Sequence, residues 1–179
     1  AMAYFLSEAG FRIFKFDYRS FGHSDKGELS ERALADDSFA ALHYLRTRPD
    51  IDPNRILVYG HSMGGVYAMA VGALAQEAGT PVRGVISNAA FSNWREVAGD
   101  LVPVIGHLFG GVVGNEPTDY ARRLGKTPLL IVHTEADTDI LPKYAYRLYN
   151  AAKERNVPAT LLIHPTGGHT WPFGGEPLL

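Results

Sequence analysis

No cysteine occurs in the 179 residues of this chain. Its absence excludes disulfide bonds, thiolate metal sites and a cysteine nucleophile. Long hydrophobic runs are also missing, so we expect no membrane span, which needs about 20 consecutive apolar residues. Basic charge is not in excess either, since 17 basic and 19 acidic residues leave a formal net charge of −2. We therefore expect neither nucleic acid nor an anionic membrane surface as a partner.

The pattern of apolar residues predicts an α/β protein. A length of 179 residues with 46% hydrophobic residues fits one domain, residues 1–179. Short apolar runs alternate with segments of helical spacing, which is typical of a mostly parallel sheet flanked by helices. We predict strands at residues 11–17, 55–59, 83–87, 128–134 and 159–164, and helices at residues 1–10, 31–46, 65–79 and 143–156.

Residues 91–116 interrupt this alternation. Apolar residues are mixed there with five glycines, which favours short helices of a small lid over a site. A plain connecting helix buried on the sheet is the alternative. If the segment is a lid, its large apolar side chains are candidates for substrate binding: Trp94, Leu101, Ile105 and Phe109.

The strongest motif is a G-x-S-x-G sequence at residues 60–64 (GHSMG), between an apolar strand and a helix rich in small residues. A sharp strand-to-helix turn of this kind exposes one serine hydroxyl, and we expect both flanking glycines to avoid collisions with the chain. Ser62 is the candidate nucleophile. A phosphate-binding turn is the alternative, but no lysine or arginine lies between Gly60 and Gly65.

Three further segments, together with this motif, make the chain resemble the α/β-hydrolase family. They are residues 16–24 (FDYRSFGHS), 133–142 (HTEADTDILP) and 165–169 (PTGGH). They occur in the order in which that family carries its D-x-R-G-x-G-x-S segment, its acid loop and its histidine loop. Ser20 replaces the usual glycine of the first segment. The resemblance covers essentially the whole chain and implies the α/β-hydrolase fold.

The resemblance also implies a catalytic triad of Ser62, Asp137 and His169. A serine hydroxyl needs an imidazole base, and a carboxylate beyond the ring fixes the tautomer of that imidazole. For the acid, Glu135 and Asp139 compete with Asp137, because the spacing from the proline at 142 suits Asp139 better. Among the other histidines, His43 lies on a predicted helix and His164 ends a predicted strand. We expect His61, next to the nucleophile, to pack beneath the site and His133 to be structural.

The oxyanion of the reaction needs two backbone donors. One is expected to be the N–H of Met63, at the start of the helix after Ser62. The resemblance places the second donor in a loop, and one neighbouring strand, ahead of residue 1. We therefore expect a gap in the sheet between residues 11–17 and the nucleophile strand, and a chain that is a fragment of a longer polypeptide or is completed by another chain.

Taken together, the sequence predicts a serine hydrolase that cleaves carboxylic esters through an acyl-enzyme on Ser62. A serine peptidase or amidase of the same fold is the first alternative, because the triad does not distinguish these bonds. A hydrolase-like protein that only binds a ligand is the second. The expected partner is a small ester or amide substrate, no metal or cofactor is implied, and the sequence does not determine the oligomeric state.

Overall fold

The computed structural model describes residues 2–101 and 114–170. Its elements are, in chain order, helices α1 (Met2–Glu8) and α2 (Glu31–Thr47), a 3-10 turn (Pro53–Arg55), strand β1 (Leu57–His61), helix α3 (Met63–Glu77), strand β2 (Gly84–Asn88), helices α4 (Trp94–Leu101) and α5 (Pro117–Arg122), strand β3 (Leu129–Thr134), helix α6 (Lys143–Glu154) and strand β4 (Ala159–His164). Within these ranges, no helix is both long and apolar enough to cross a membrane.

The four strands form one parallel sheet in the order β1, β2, β3, β4. All neighbouring strands pair in parallel, so the carboxyl ends of the strands lie at one edge of the sheet. Ligands of parallel sheets gather at this edge. Because Ser62, Asp137 and His169 follow β1, β3 and β4, the topology brings the three candidate residues to the same side of the domain. The predicted fold class is confirmed.

Helix α3 fixes the element that carries Ser62. Most of its residues are buried, as expected for a helix covered on several sides. The helix lies close to the rest of the domain at Gly72, where an added Cβ would lie 2.6 Å from side-chain atoms of Val85 and Leu124. A helix packed this closely against β2 and the chain after α5 leaves little freedom for the turn at its N-terminus.

Residues 11–17 form no strand, which corrects our prediction of a fifth strand. The segment and β1 border a cleft of about 130 Å³, with Phe14 and Phe16 from the segment and Leu57 and Val58 from β1. Alternation predicts a strand only where a neighbour lies about 4.8 Å away to complete the ladder. In the part of the chain that the structure describes, β1 pairs with β2 alone and is an edge strand.

The cleft leads to a prediction about the chain of 179 residues by itself. Leu57 is 41% exposed and Phe14 and Phe16 are 42% and 40% exposed, beside an edge strand that can pair with another chain. We expect the chain to bind the dye ANS and to self-associate. Replacing both phenylalanines by serine should lower the dye fluorescence, whereas Tyr4→Ser, away from the cleft, should not. A monomer that binds no dye would contradict this expectation.

Helix α4 lies in the first part of the predicted insertion, and hydrogen bonds and ion pairs join it to α6. Tyr144 Oη donates a hydrogen bond of 2.5 Å to Asp100, and Lys143 Nζ lies 2.7 Å from the same carboxylate. Glu96, one turn before Asp100 in α4, pairs with Arg147, one turn after Lys143 in α6. These contacts fix α4 against the domain, whereas residues 102–113, the centre of the predicted lid, lie outside the described residues.

Helix α5 was missed by the sequence analysis, which extended the insertion to residue 116. Pro117 stands at its first turn, and Asp119 Oδ2 accepts a hydrogen bond of 3.2 Å from the amide of Glu116. Proline at the start of a helix with an acidic residue in the first turn is a recognised start signal. The sequence EPTD at residues 116–119 could therefore have identified this helix.

Candidate active site

Ser62 occupies a strained turn between β1 and α3. Its backbone angles are φ 55° and ψ −125°, in a region that residues with a side chain rarely adopt. The Ser62 amide donates a hydrogen bond of 2.8 Å to the Asn88 carbonyl at the end of β2, and the Ser62 carbonyl accepts one of 2.9 Å from Gly65. Two hydrogen bonds thus hold the turn in a conformation that presents the serine side chain at the carboxyl edge of the sheet.

The glycines of the motif have different roles, which corrects part of our prediction. A Cβ on Gly60 would lie 1.9 Å from the carbonyl oxygen of Gly64, so only glycine fits there. A Cβ on Gly64 would meet nothing within 4 Å. The second sterically demanding position is Gly65, where a Cβ would lie 2.9 Å from both Ala90 Cβ and Ser87 Oγ. The tight turn therefore requires Gly60 and Gly65, and the collision that we expected at Gly64 does not occur.

This difference predicts a contrast between two alanine substitutions. Gly60→Ala should destabilise the domain by at least about 3 kcal/mol, because the methyl group collides with backbone that cannot move independently of α3. Gly64→Ala should change the free energy of unfolding by less than about 1 kcal/mol, because alanine favours a helix and the site is open. Urea unfolding of both variants measures the contrast. Equal losses would show that the turn relaxes around Gly60.

Asp137 and His169 form a hydrogen-bonded pair at the same edge. Asp137 Oδ2 lies 2.9 Å from His169 Nδ1, and Asp137 is only 2% exposed. The other carboxylate oxygen, Oδ1, accepts hydrogen bonds from the amides of Asp139 and Ile140, at 3.0 and 2.9 Å. The carboxylate is thus held by amides of its own loop, and Nδ1 of the His169 imidazole is hydrogen-bonded to this carboxylate.

The competing carboxylates lie elsewhere. Glu135 is exposed and accepts a hydrogen bond of 2.7 Å from Tyr146 Oη. Asp139 is exposed as well, with no described side-chain contact to His169. Of the three acids that the sequence left open, the structure places Asp137 against His169.

His133, the second histidine near this loop, is completely buried. Its Nε2 lies 2.7 Å from the carbonyl of Ile140 and 3.4 Å from Asp137 Oδ2. Because a carbonyl oxygen only accepts, Nε2 carries a hydrogen and joins His133 to the loop at Ile140. This is the structural position that we expected for His133.

The charges of the pair follow from these contacts. Burial by itself raises the pKa of the Asp137 carboxyl, but hydrogen bonds from His133, His169 and the amide of Ile140 outweigh burial and hold that pKa below its usual range. The hydrogen bond to Asp137 raises the pKa of the His169 imidazole, and burial opposes this effect only in part. Asp137 therefore stays ionised and stabilises a proton on His169.

His61 connects the nucleophile turn to the histidine loop. It directly precedes Ser62, and its Nε2 lies 2.8 Å from the backbone carbonyl oxygen of His169. The centroids of the two imidazole rings are 4.7 Å apart. We expected His61 to pack beneath the site. Instead, the structure places it beside the candidate base, and its sequence position next to Ser62 was the available signal.

The upstream segment at residues 17–24 is fastened to α2. Arg19 makes a bidentate ion pair with Asp37, in which Nη2 lies 2.6 Å from Oδ1 and Nε lies 2.9 Å from Oδ2. Ser20, which stands where the family pattern has glycine, has φ 66°. This conformation costs a residue with a side chain about 1–2 kcal/mol. The Ser20 hydroxyl offsets part of that cost, because it donates to the Gly27 carbonyl at 2.9 Å and accepts from the Gly27 amide at 3.0 Å.

The remaining candidates are partly described. Met63 is the first residue of α3, 38% exposed, and its amide is among those that a helix leaves unpaired at its N-terminus. Trp94 packs on Phe91, with ring centroids 4.7 Å apart, and its indole nitrogen donates to the carbonyl of Asn115. Leu101 is 56% exposed. The other two lid candidates, Ile105 and Phe109, lie outside the described residues.

A metal centre has no candidate among residues 2–101 and 114–170, where no group of three or more potential ligand side chains converges.

Solved structures of similar shape identify the fold. An α/β hydrolase from Vibrio vulnificus superposes with a TM-score of 0.73 and 22% identity over 88% of this chain and 57% of its own. Acetyl xylan esterase 1 from Thermoanaerobacterium sp. JW/SL YS485 superposes with a TM-score of 0.60 and 20% identity over 82% of this chain and 48% of its own. At these identities the likeness establishes the fold, and the chain has the α/β-hydrolase fold.

The sequence comparison is more specific. A model of the prolyl oligopeptidase family matches residues 1–176, and the chain belongs to this family. Among curated relatives, the uncharacterized protein YfhR of Escherichia coli O157:H7 is 35% identical over 164 residues, which cover 92% of this chain and 55% of the relative. The chain thus spans about half the length of the curated relatives that it matches.

Proposed function

We propose that this chain carries the catalytic residues of a serine hydrolase that cleaves carboxylic esters through an acyl-enzyme on Ser62. The observation that carries the proposal is the position of His169. Its Nδ1 is hydrogen-bonded to the buried, ionised Asp137. Its backbone carbonyl is hydrogen-bonded to His61, the residue before Ser62. The other ring nitrogen, Nε2, is left to exchange a proton with the serine hydroxyl.

The reaction follows from these roles. Ser62 Oγ attacks the ester carbonyl carbon while its proton moves to Nε2 of His169, which gives a tetrahedral oxyanion and an imidazolium held by Asp137. The oxyanion collapses, the bond to the alcohol breaks, and the alcohol leaves with the proton from His169. A water molecule, deprotonated by the same nitrogen, then releases the acid and restores Ser62.

Met63 supports the first of these steps. Its amide lies at the N-terminus of α3, where unpaired N–H groups and the helix dipole favour negative charge. We assign it as one oxyanion donor. A lost donor costs about 2.7–4 kcal/mol of transition-state stabilisation, so this assignment accounts for a substantial part of the rate.

The segment that follows β2 favours an apolar acyl group, because Trp94 packs on Phe91 and Tyr67 and the sequence after it is rich in apolar residues. The acetyl xylan esterase among the structures of similar fold favours an ester over an amide. The family's name favours the second candidate, an amide or peptide bond, which the same triad can cleave.

Two experiments test the proposal. A fluorophosphonate probe should label the chain, and peptide mapping should find the label on Ser62; an unlabelled wild-type chain would favour a protein that only binds its ligand. A panel of p-nitrophenyl esters of graded acyl length, compared with aminoacyl nitroanilides, then decides the bond. Faster turnover of the nitroanilides would replace the ester by the amide.

The pH dependence of the reaction is a separate prediction. His169 acts as a base only when neutral, so activity should be lost as the pH falls through its pKa. Because that pKa is raised by Asp137, the acid limb of kcat/KM should lie above about pH 6.5, the ordinary value for histidine. Asp139 adds to the raised pKa through its charge, so Asp139→Asn should move the limb slightly lower. A limb at or below pH 6.5 would contradict the assignment.

A further inference from the structure

The loop that carries His169 contains two successive glycines. Gly167 and Gly168 directly precede the histidine, and Gly167 has φ 100°, a conformation suited to glycine. Two glycines in succession give the backbone freedom to rotate, so the place of the imidazole depends on the bonds that the loop makes to the rest of the domain.

Those bonds divide between two strands. On the β3 side, Thr134 Oγ1 donates a hydrogen bond of 2.8 Å to the Gly167 carbonyl. Asp137 Oδ2 accepts one of 2.9 Å from His169 Nδ1. On the β1 side, His61 Nε2 lies 2.8 Å from the His169 carbonyl. Among the described residues, His61 is therefore the hydrogen-bonding partner that ties this loop to the element bearing Ser62.

The hydrogen bond determines which ring nitrogen of His61 carries a proton. Because the carbonyl of His169 can only accept, His61 Nε2 must carry a hydrogen. A neutral His61 with the proton on Nε2 meets this need without placing a second positive charge 4.7 Å, measured between ring centroids, from the imidazole that becomes charged during the reaction. Histidine thus supplies a hydrogen-bond donor and a flat ring next to His169.

We propose that His61 is a positioning residue, which sets the separation of Ser62 and His169 through its hydrogen bond to the His169 carbonyl. The inference rests on the proposed serine hydrolase function. The hydrogen bond that His169 Nδ1 donates to Asp137 orients the imidazole, but it does not fix the loop relative to β1. The bond from His61 removes that freedom, and a misplacement of about 1 Å between reacting groups costs about 10²-fold in rate.

The test compares two substitutions of His61. His61→Leu keeps an apolar side chain of similar bulk but cannot donate, whereas His61→Gln places an amide N–H near the position of Nε2. We expect His61→Leu to lower kcat by about 10- to 100-fold with KM and thermal midpoint nearly unchanged. His61→Gln should recover most of that loss. The rate of fluorophosphonate labelling at Ser62 should fall and recover in parallel.

Thr134→Val is the matched control. It removes a hydrogen bond of the same length from the same loop, but on the β3 side, where Asp137 still holds the imidazole. Its kcat should fall less than that of His61→Leu. In both variants the proton between His169 and Asp137 should keep its downfield NMR resonance, because neither substitution touches that pair.

The outcomes separate the two proposals. If the wild-type chain is neither labelled nor active, the serine hydrolase function itself fails. If the wild type is labelled and active but His61→Leu retains full kcat, or His61→Gln is as impaired as His61→Leu, the positioning role is overturned and the function stands. A fall in thermal midpoint that accounts for the loss of activity would also overturn it, in favour of a purely structural role.

Discussion

Replacement of Ser62 by alanine is expected to lower kcat by about 10⁶-fold while leaving the domain folded. The large effect follows from the covalent route, which requires the Ser62 hydroxyl. Stability should hardly change, since the bonds of the turn are made by the Ser62 backbone amide and carbonyl rather than by its hydroxyl. Alanine also has to adopt φ 55°, a cost that the serine already bears.

His169→Ala should be as inactive as Ser62→Ala, and the double variant should be no worse than either. Residues that act as one unit lose their effect together, so the two losses are not additive. Steady-state kinetics with the best ester of the panel, together with thermal midpoints, make the comparison. Turnover near the wild-type level in Ser62→Ala, or additive losses in the double variant, would mean that a different nucleophile or base does the work.

Asp137→Asn is expected to lower kcat by about 10⁴-fold. Asparagine can keep the oxygen that accepts from the amides of Asp139 and Ile140, so the loop should retain its shape. The amide nitrogen then faces His169 Nδ1 and favours the tautomer that carries its proton on Nε2. That tautomer cannot accept the proton of Ser62.

The neighbouring carboxylates provide the controls. Asp139→Asn and Glu135→Gln change exposed side chains that make no described hydrogen bond to His169, and each should lower kcat by less than about 3-fold at a pH above the acid limb. If Asp139→Asn were the most damaging of the three, the acid would be Asp139 and the loop would rearrange in the working enzyme.

Much of the fold could be predicted from the sequence because its signals are local. The strand at residues 159–164 was predicted with the bounds that β4 has, and β1, β2 and β3 within about two residues, because buried parallel strands read as short apolar runs. The segment 11–17 failed for the opposite reason. Its alternation is a property of the segment, but a strand is a property of a pair, and no sequence pattern reports whether the neighbour is present.

The candidate site shows the same division. Ser62 and His169 could be proposed as site residues from the sequence because each has glycines close to it in the sequence. The choice among Glu135, Asp137 and Asp139 depended on which side chain is buried and faces the imidazole, which is set by the path of the loop through space. The contact of His61 with the His169 carbonyl joins residues 108 positions apart, and only the folded chain reveals it.

The edge position of β1 has a consequence for local stability. Strands β2 and β3 are flanked on both sides, so their amides should exchange hydrogen with solvent only when the whole domain unfolds. Amides of β1 that point away from β2 should exchange far sooner, through small local openings. The Ser62 amide, bonded to the Asn88 carbonyl, faces the slow side. The candidate nucleophile thus stands at the border between the slowest and the fastest exchanging backbone of the sheet, and its own amide is held on the slow side by β2.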